Sequence, residues 1–150
     1  MNRHSRAGFT LIELLIVIAI IAILASLVLA ASRTVQAKGA RSRAEGEISA
    51  LAAALENYKA DNGDYPSNST IGSSTNLVAA LMPTNTPGAK IYFEFKNKFL
   101  SNNNYLDPFF NSYNYIYTNG SLNNGANNYD LWSYAQDTTH TQTNTWIKNW

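Results

Sequence analysis

Cysteine is absent from the 150 residues. That excludes a disulfide staple and any thiolate chemistry, and it leaves packing or a metal to close whatever small fold the chain makes. Proline is withheld until Pro66, so nothing forbids a helix through the first sixty-odd residues. Gly39 and Gly46 alone weaken it between Phe9 and Asn62, at roughly 1 kcal/mol each relative to Ala. Histidine is scarce: His4 stands near the start and His140 near the end, so neither a Ser-His-Asp arrangement nor a metal triad can be assembled, and His140 reads as a solvated loop residue. Charged residues make up 14% of the chain and the formal net charge is +1, which is no basis for a polyanion-binding surface, and nucleic acid is not expected as a partner. Asp and Glu together number ten, and several have helix-face or turn roles. Asp61 and Asp64 flank the Asn62-Gly63 turn as turn and cap residues. The composition therefore favours a structural protein over an enzyme.

What the chain has in abundance is one apolar run. From Leu14 to Ala31 the sequence LLIVIAIIAILASLVLAA has only Ser26 as a polar residue, about the length a helix needs to cross the hydrocarbon core of a bilayer. Glu13 stands at its head, where a carboxylate is costly unless something pairs it. The preceding eight residues, MNRHSRAG, carry Arg3 and Arg6 and no acid, and positive charge beside an apolar segment marks the cytoplasmic side. Leu29-Ala30-Ala31 offers small residues of the kind a signal peptidase cuts beside, but the run exceeds the usual h-region length and starts with an acid, which argues against an ordinary signal peptide.

After Ala31 polarity changes while helical propensity persists. Ala44, Ile48, Leu51, Leu55 and Tyr58 recur at spacings of three and four, with Arg41 and Glu45, and Arg43 and Glu47, as i,i+4 pairs on the polar side. One helix from about Phe9 to about Asp61 is predicted, its second half burying that stripe against a small domain, with Asn62-Gly63 as the stop and Pro66 barring resumption. Beyond it Ser74 or Thr75 caps a short helix through Leu81 that Pro83 ends. Ile91–Phe95, Tyr113–Tyr117 and Tyr129–Tyr134 read as strands, with turn chemistry at Asn119-Gly120 and Asn123-Asn124-Gly125. Tyr113, Tyr115 and Tyr117 share one strand face, which reads as core filling rather than as a stacking platform for sugars. The fold class is α+β: a long N-terminal helix packed on a small antiparallel sheet.

The stretch Gly8-Phe9-Thr10-Leu11-Ile12-Glu13, a basic leader ending in Gly, then Phe, then an acid at the head of a long apolar helix, resembles the type IV pilin and pseudopilin superfamily. Three further segments resemble the major (G) pseudopilins of type II secretion systems. Tyr105 to Tyr115, containing DPFFNSYNY, is similar to that family's DPWGNPYxY; Tyr129 to Asp137, YDLWSYAQD, to YDLxSxGxDG; and Ile147-Lys148-Asn149-Trp150 to IGNW. Ala53 to Pro66 is similar to the family's helix end, ALxxYKxDNGxYP. The Pro that such chains often carry near the end of the membrane stretch is replaced here by Ala30-Ala31, which leaves open a kink or melted turn at that point.

The resemblance implies a division into a leader (1–8), a transmembrane and filament-core helix (9–32), its amphipathic continuation (33–62) and an extracytoplasmic pilin-like globular domain (63–150). It implies cleavage between Gly8 and Phe9 by a prepilin peptidase that N-methylates Phe9, and an assembly role for Glu13. The carboxylate would meet the N-terminal amine of a neighbouring subunit; capping its own helix is the alternative, and the two are compatible. The family also ties its last loop with calcium. Matching the segment puts a carbonyl ligand at Tyr134, an acidic ligand at Asp137 and the position of a second acid near Asn144, with Thr138 in place of the DG glycine. One carboxylate with amide and carbonyl oxygens is a weak calcium site at best, so no cofactor is certain.

As partners the resemblance implies a homopolymer, the prepilin peptidase, an inner-membrane assembly platform with a cytoplasmic ATPase, minor pseudopilins, an outer-membrane secretin, and membrane lipid before assembly. The N-terminus would be cytoplasmic and the C-terminal domain periplasmic. The expected function is a structural subunit of a secretion pseudopilus. The alternative is a subunit of a surface type IV pilus, for adhesion, twitching or DNA uptake, and a third class is an anchored Asn- and Tyr-rich glycan binder.

Overall fold

A computed structural model describes residues 9–68, 73–118, 123–125 and 127–150, with the side chains at 30 and 31 left aside. The expected Asn119-Gly120 turn lies outside the described residues. Helix α1 runs over Leu11–Asn62, and its backbone is helical through positions 30 and 31. Contacts divide the chain into two units, residues 1–38 and 39–150.

In the first unit α1 has no core to face. Every large apolar side chain from Leu11 to Leu29 is exposed, from 44% at Val17 to 81% at Leu11. Ser26, the one polar interruption, turns its hydroxyl back to the Ile23 carbonyl at 2.7 Å, which satisfies it within its own helix.

In the second unit the stripe is buried as its period predicts: Ala44, Ile48, Leu51 and Leu55 are at most 5% exposed, and Tyr58 is half-buried. The polar side carries both expected ion pairs, Arg41–Glu45 at 3.1 Å and Arg43–Glu47 at 2.8 Å. The helix ends at Gly63, whose φ of +86° and N–H bond to the Lys59 carbonyl at 2.7 Å form a left-handed C-terminal cap. Asp61 and Asp64 do more than shape that turn. Asp61 pairs with Lys90 and accepts the Tyr92 hydroxyl, while Asp64 accepts the Tyr65 N–H and the Tyr117 hydroxyl.

Helix α2 covers Thr75–Leu81 and buries Leu77, Val78 and Leu81. Its expected cap, Ser74, instead accepts the Tyr105 N–H at 2.8 Å, and the Ser73 hydroxyl takes the Thr75 N–H at 3.2 Å. The sheet is β3 (Asn114–Ile116), β4 (Asp130–Ser133) and β5 (Ile147–Lys148), antiparallel throughout, with β4 in the middle; β1 (Leu100–Ser101) and β2 (Asn104–Tyr105) form a separate hairpin. Tyr113 and Tyr115 flank and occupy β3 and are fully buried, so they fill the core; Tyr117, just past β3, forms an isolated antiparallel bridge with Asn68.

The expected strand at Ile91–Phe95 is not there. The N–H groups of Tyr92 and Phe93 both turn to the Leu81 carbonyl, at 2.9 and 3.3 Å, whereas successive N–H groups of a strand point opposite ways. The aromatics pack around this turn: Phe93 and Phe95 lie 4.7 Å apart and both reach Tyr105, a cluster that holds the segment by ring contacts and not by ladder hydrogen bonds. The β-favouring composition of the run belongs to an aromatic cluster and not to a ladder.

Between β2 and β3 the chain turns around Asp107, and Phe110 in that turn has φ +66° while standing 79% exposed. The similar segment DPWGNPYxY has glycine at this place. A side chain in the left-handed region costs about 1–2 kcal/mol, and glycine gives back roughly 0.4–1 kcal/mol through the unfolded chain. Phe110→Gly is therefore expected to stabilise the globular unit by about 0.5–1 kcal/mol, measured by denaturant unfolding of the detergent-solubilised chain; a loss of stability would mean the exposed ring makes contacts that the turn geometry does not reveal.

Candidate functional site

The N-terminal end of α1 is organised by Thr10 and Glu13. The Thr10 N–H and hydroxyl both donate to Glu13 Oε2, at 2.8 and 2.7 Å, and the Glu13 N–H donates to Thr10 Oγ1 at 3.3 Å. This is a capping box, with Thr10 as N-cap and Glu13 three residues in, each side chain satisfying the other's orphan backbone donor. The spacing Thr-x-x-Glu is the signal that sequence reading passed over in weighing Glu13 by itself. Among the described residues Glu13 Oε1 has no hydrogen-bond partner, so half of the carboxylate is open to an incoming donor. Glu13 is the sole ionisable side chain from Phe9 to Ser32, and Phe9 beside it is 78% exposed. Gly8 lies outside the described residues. The carboxylate thus caps its own helix through Oε2 and leaves Oε1 as an acceptor at the head of an exposed apolar surface.

At the other end, the Tyr134 carbonyl accepts the Asp137 N–H at 3.0 Å. Asp137 is 6% exposed, and the side chain of Asn144 is solvent-exposed. Burial by itself would raise the Asp137 carboxyl, but donors outweigh it: the Trp146 indole N–H, the Thr139 hydroxyl and the backbone N–H groups of Gln142 and Thr139 hold it well below the usual carboxylate range. Among the described residues no group of three or more His, Cys, Asp or Glu side chains is placed to hold a metal ion. His140 is exposed and lies flat on Tyr134, the ring centres 3.8 Å apart. Its backbone N–H donates to Asp137 Oδ1 at 3.0 Å.

Two buried acids that the sequence did not single out hold the domain's other loops. Asp107 Oδ1 accepts the N–H groups of Phe109 and Asn111, at 2.8 and 2.9 Å, and Oδ2 accepts the Ser133 hydroxyl. Asp130, at the start of β4, accepts the N–H groups of Asn123 and Asn124, both at 3.0 Å.

Two family models match successive parts of the chain. Residues 3–29 match the prokaryotic N-terminal methylation motif, and residues 32–150 match type II secretion system (T2SS), protein G. Among individual relatives, the type II secretion system core protein G of Pseudomonas aeruginosa is 51% identical over 69 residues, 45% of this chain and 47% of that one. That of Klebsiella michiganensis is 46% identical over 66 residues, 44% of this chain and 46% of the relative. That of Klebsiella pneumoniae is 39% identical over 87 residues, 58% and 59% respectively. The aligned part thus spans about half the length of the curated relatives it matches. No solved structure matches the chain significantly. With the protein G family covering everything beyond the apolar helix, and the methylation motif covering that helix, the chain belongs to the protein G family of type II secretion.

Proposed function

We propose that the chain is a structural subunit that polymerises into a type II secretion pseudopilus, driving protein export through an outer-membrane secretin. The observation that carries this reading is Glu13: the one charge of residues 9–32, half-satisfied by Thr10, at the head of a helix whose large apolar side chains from Leu11 to Leu29 are all exposed. An exposed apolar helix of this kind has two ways to leave water, lipid or other copies of itself. Before assembly the helix sits in the inner membrane, with Arg3 and Arg6 on the cytoplasmic side and the domain in the periplasm.

Prepilin peptidase cuts between Gly8 and Phe9 and methylates the new amine, which stays protonated. That ammonium, on a neighbouring copy, is the donor for which Glu13 Oε1 is open. An ion pair gains in a low-dielectric core what it would not gain at the surface, and pairing removes the penalty of a lone charge among apolar helices. The apolar halves of successive copies then exchange lipid contacts for one another, and the globular units form the sheath. An inner-membrane platform with its cytoplasmic ATPase, minor pseudopilins and the secretin are the partners this role requires. None of these steps asks the chain for catalysis.

The test is the mass and N-terminal sequence of the chain from cells with and without the prepilin peptidase. The expected product starts at methylated Phe9 in the first case and keeps its leader in the second. A product starting near Ser32 leaves no filament core and ends the proposal.

A further inference from the structure

The loop from Tyr134 to Trp146 closes on a single carboxylate. Asp137 Oδ1 accepts the Thr139 N–H at 3.0 Å, the Thr139 hydroxyl at 2.7 Å and the His140 N–H at 3.0 Å. Its Oδ2 accepts the Gln142 N–H at 2.7 Å and the Trp146 indole N–H at 3.0 Å. A carboxylate offers about four lone-pair sites, so these donors fill it.

Those same oxygens are what the family resemblance would give to calcium, and they do not fit it. Calcium takes about six to eight oxygen ligands and gains from carboxylate charge. Here Asp137 is the one acid between Leu131 and Trp150, and both of its oxygens face hydrogens. The Tyr134 carbonyl is already turned to the Asp137 N–H. At the place of a second acid stands Asn144, an exposed and uncharged side chain. A cation at Asp137 would have to displace donors from both ends of the loop and would find no second negative charge in exchange.

We infer that this chain closes its C-terminal loop without a cation, the Asp137 carboxylate being tied by its own loop's donors, with the Trp146 indole reaching back across the loop to complete the clasp. Two further contacts hold the indole for that bond. Trp146 meets the edge of Tyr134 at 4.9 Å and stacks with Trp132 on β4 at 6.3 Å. The carbonyl of its neighbour Thr145 accepts the Arg41 guanidinium N–H from α1 at 2.8 Å. The loop is thereby fastened to both the sheet and the helix. The inference concerns the globular unit alone and stands or falls apart from the filament proposal.

The experiment is thermal unfolding of the full chain in detergent micelles, followed by tryptophan fluorescence, in millimolar calcium chloride and in excess EDTA. The expected result is the same Tm in both. Trp146→Phe, which keeps a ring in place and removes the N–H, is expected to lower Tm by about 5 °C and to remain indifferent to calcium. A wild-type Tm that rises by several degrees with calcium, or falls with EDTA, overturns the inference, and so does a Trp146→Phe variant as stable as the wild type. The first measurement needs no variant to fold.

Discussion

Replacing Asp107 by Ala lowers the stability of the globular unit by about 2–4 kcal/mol, whereas Asn at the same place stays within about 1 kcal/mol of the wild type at pH 7. Asp107 is fully buried, and Ala would orphan the Phe109 and Asn111 N–H groups and the Ser133 hydroxyl at once. Asn keeps an oxygen for the two N–H groups and turns an N–H to Ser133 instead. It also removes a charge that the site holds at a cost. Burial, and more weakly the Glu47 carboxylate, push the Asp107 carboxyl above its ordinary value against the pull of Ser133, Asn111 and Phe109.

The sign of the pH dependence follows. A group whose folded pKa is raised contributes stability that is fully present below its unfolded pKa, about 3.9, and that is lost as pH rises through the folded value. The stability of wild type relative to Asp107→Asn is therefore expected to grow as pH falls from 7 toward about 4. Denaturant unfolding of both proteins at the two ends of that window reads it. A difference that does not move with pH, or an Ala variant as stable as the wild type, contradicts the account of Asp107.

The second large effect is on assembly. Glu13→Val is expected to reach the membrane as well as the wild type, since it removes a charge from an apolar segment, and to lower filament yield at least tenfold by leaving the neighbouring ammonium unpaired. Glu13→Gln separates the two roles of the side chain. Gln supports a capping box as Glu does, so it keeps the bonds to Thr10 while losing the charge. Membrane fractionation and the yield of sedimentable filaments measure both steps. If Gln assembles like the wild type, capping alone suffices and the ion pair has no part in it.

The sequence made the helix easy to read because three signals agree there: an unbroken apolar run, a stripe at helical spacing from Ala44 to Leu55, and Gly63 followed by Pro66 at the end. The packing of the stripe against an aromatic β3 was also legible, since Tyr113 and Tyr115 alternate with polar residues. The misread segment, Ile91–Phe95, has strand-like composition but takes its conformation from Leu81 and Tyr105, ten or more residues away. β5 escaped for a simpler reason, because two residues are too short to carry a period. Glu13 was conspicuous as an acid in an apolar setting. Asp107, Asp130 and Asp137 were less so as loop ties, for each looks like an ordinary loop or strand-end acid until the backbone N–H groups gathered around it are known.

With no cysteine in the chain, loops tied by those three carboxylates need no oxidative step to close. A fold closed by covalent sulfur bridges waits on oxidant and on reshuffling, over seconds to hours. Loops gathered on carboxylate oxygens settle with the sheet they belong to, and no enzyme has to visit them. A subunit consumed continuously by a growing polymer would then be ready for use as soon as its last strand is in place, whatever the oxidising power of its surroundings.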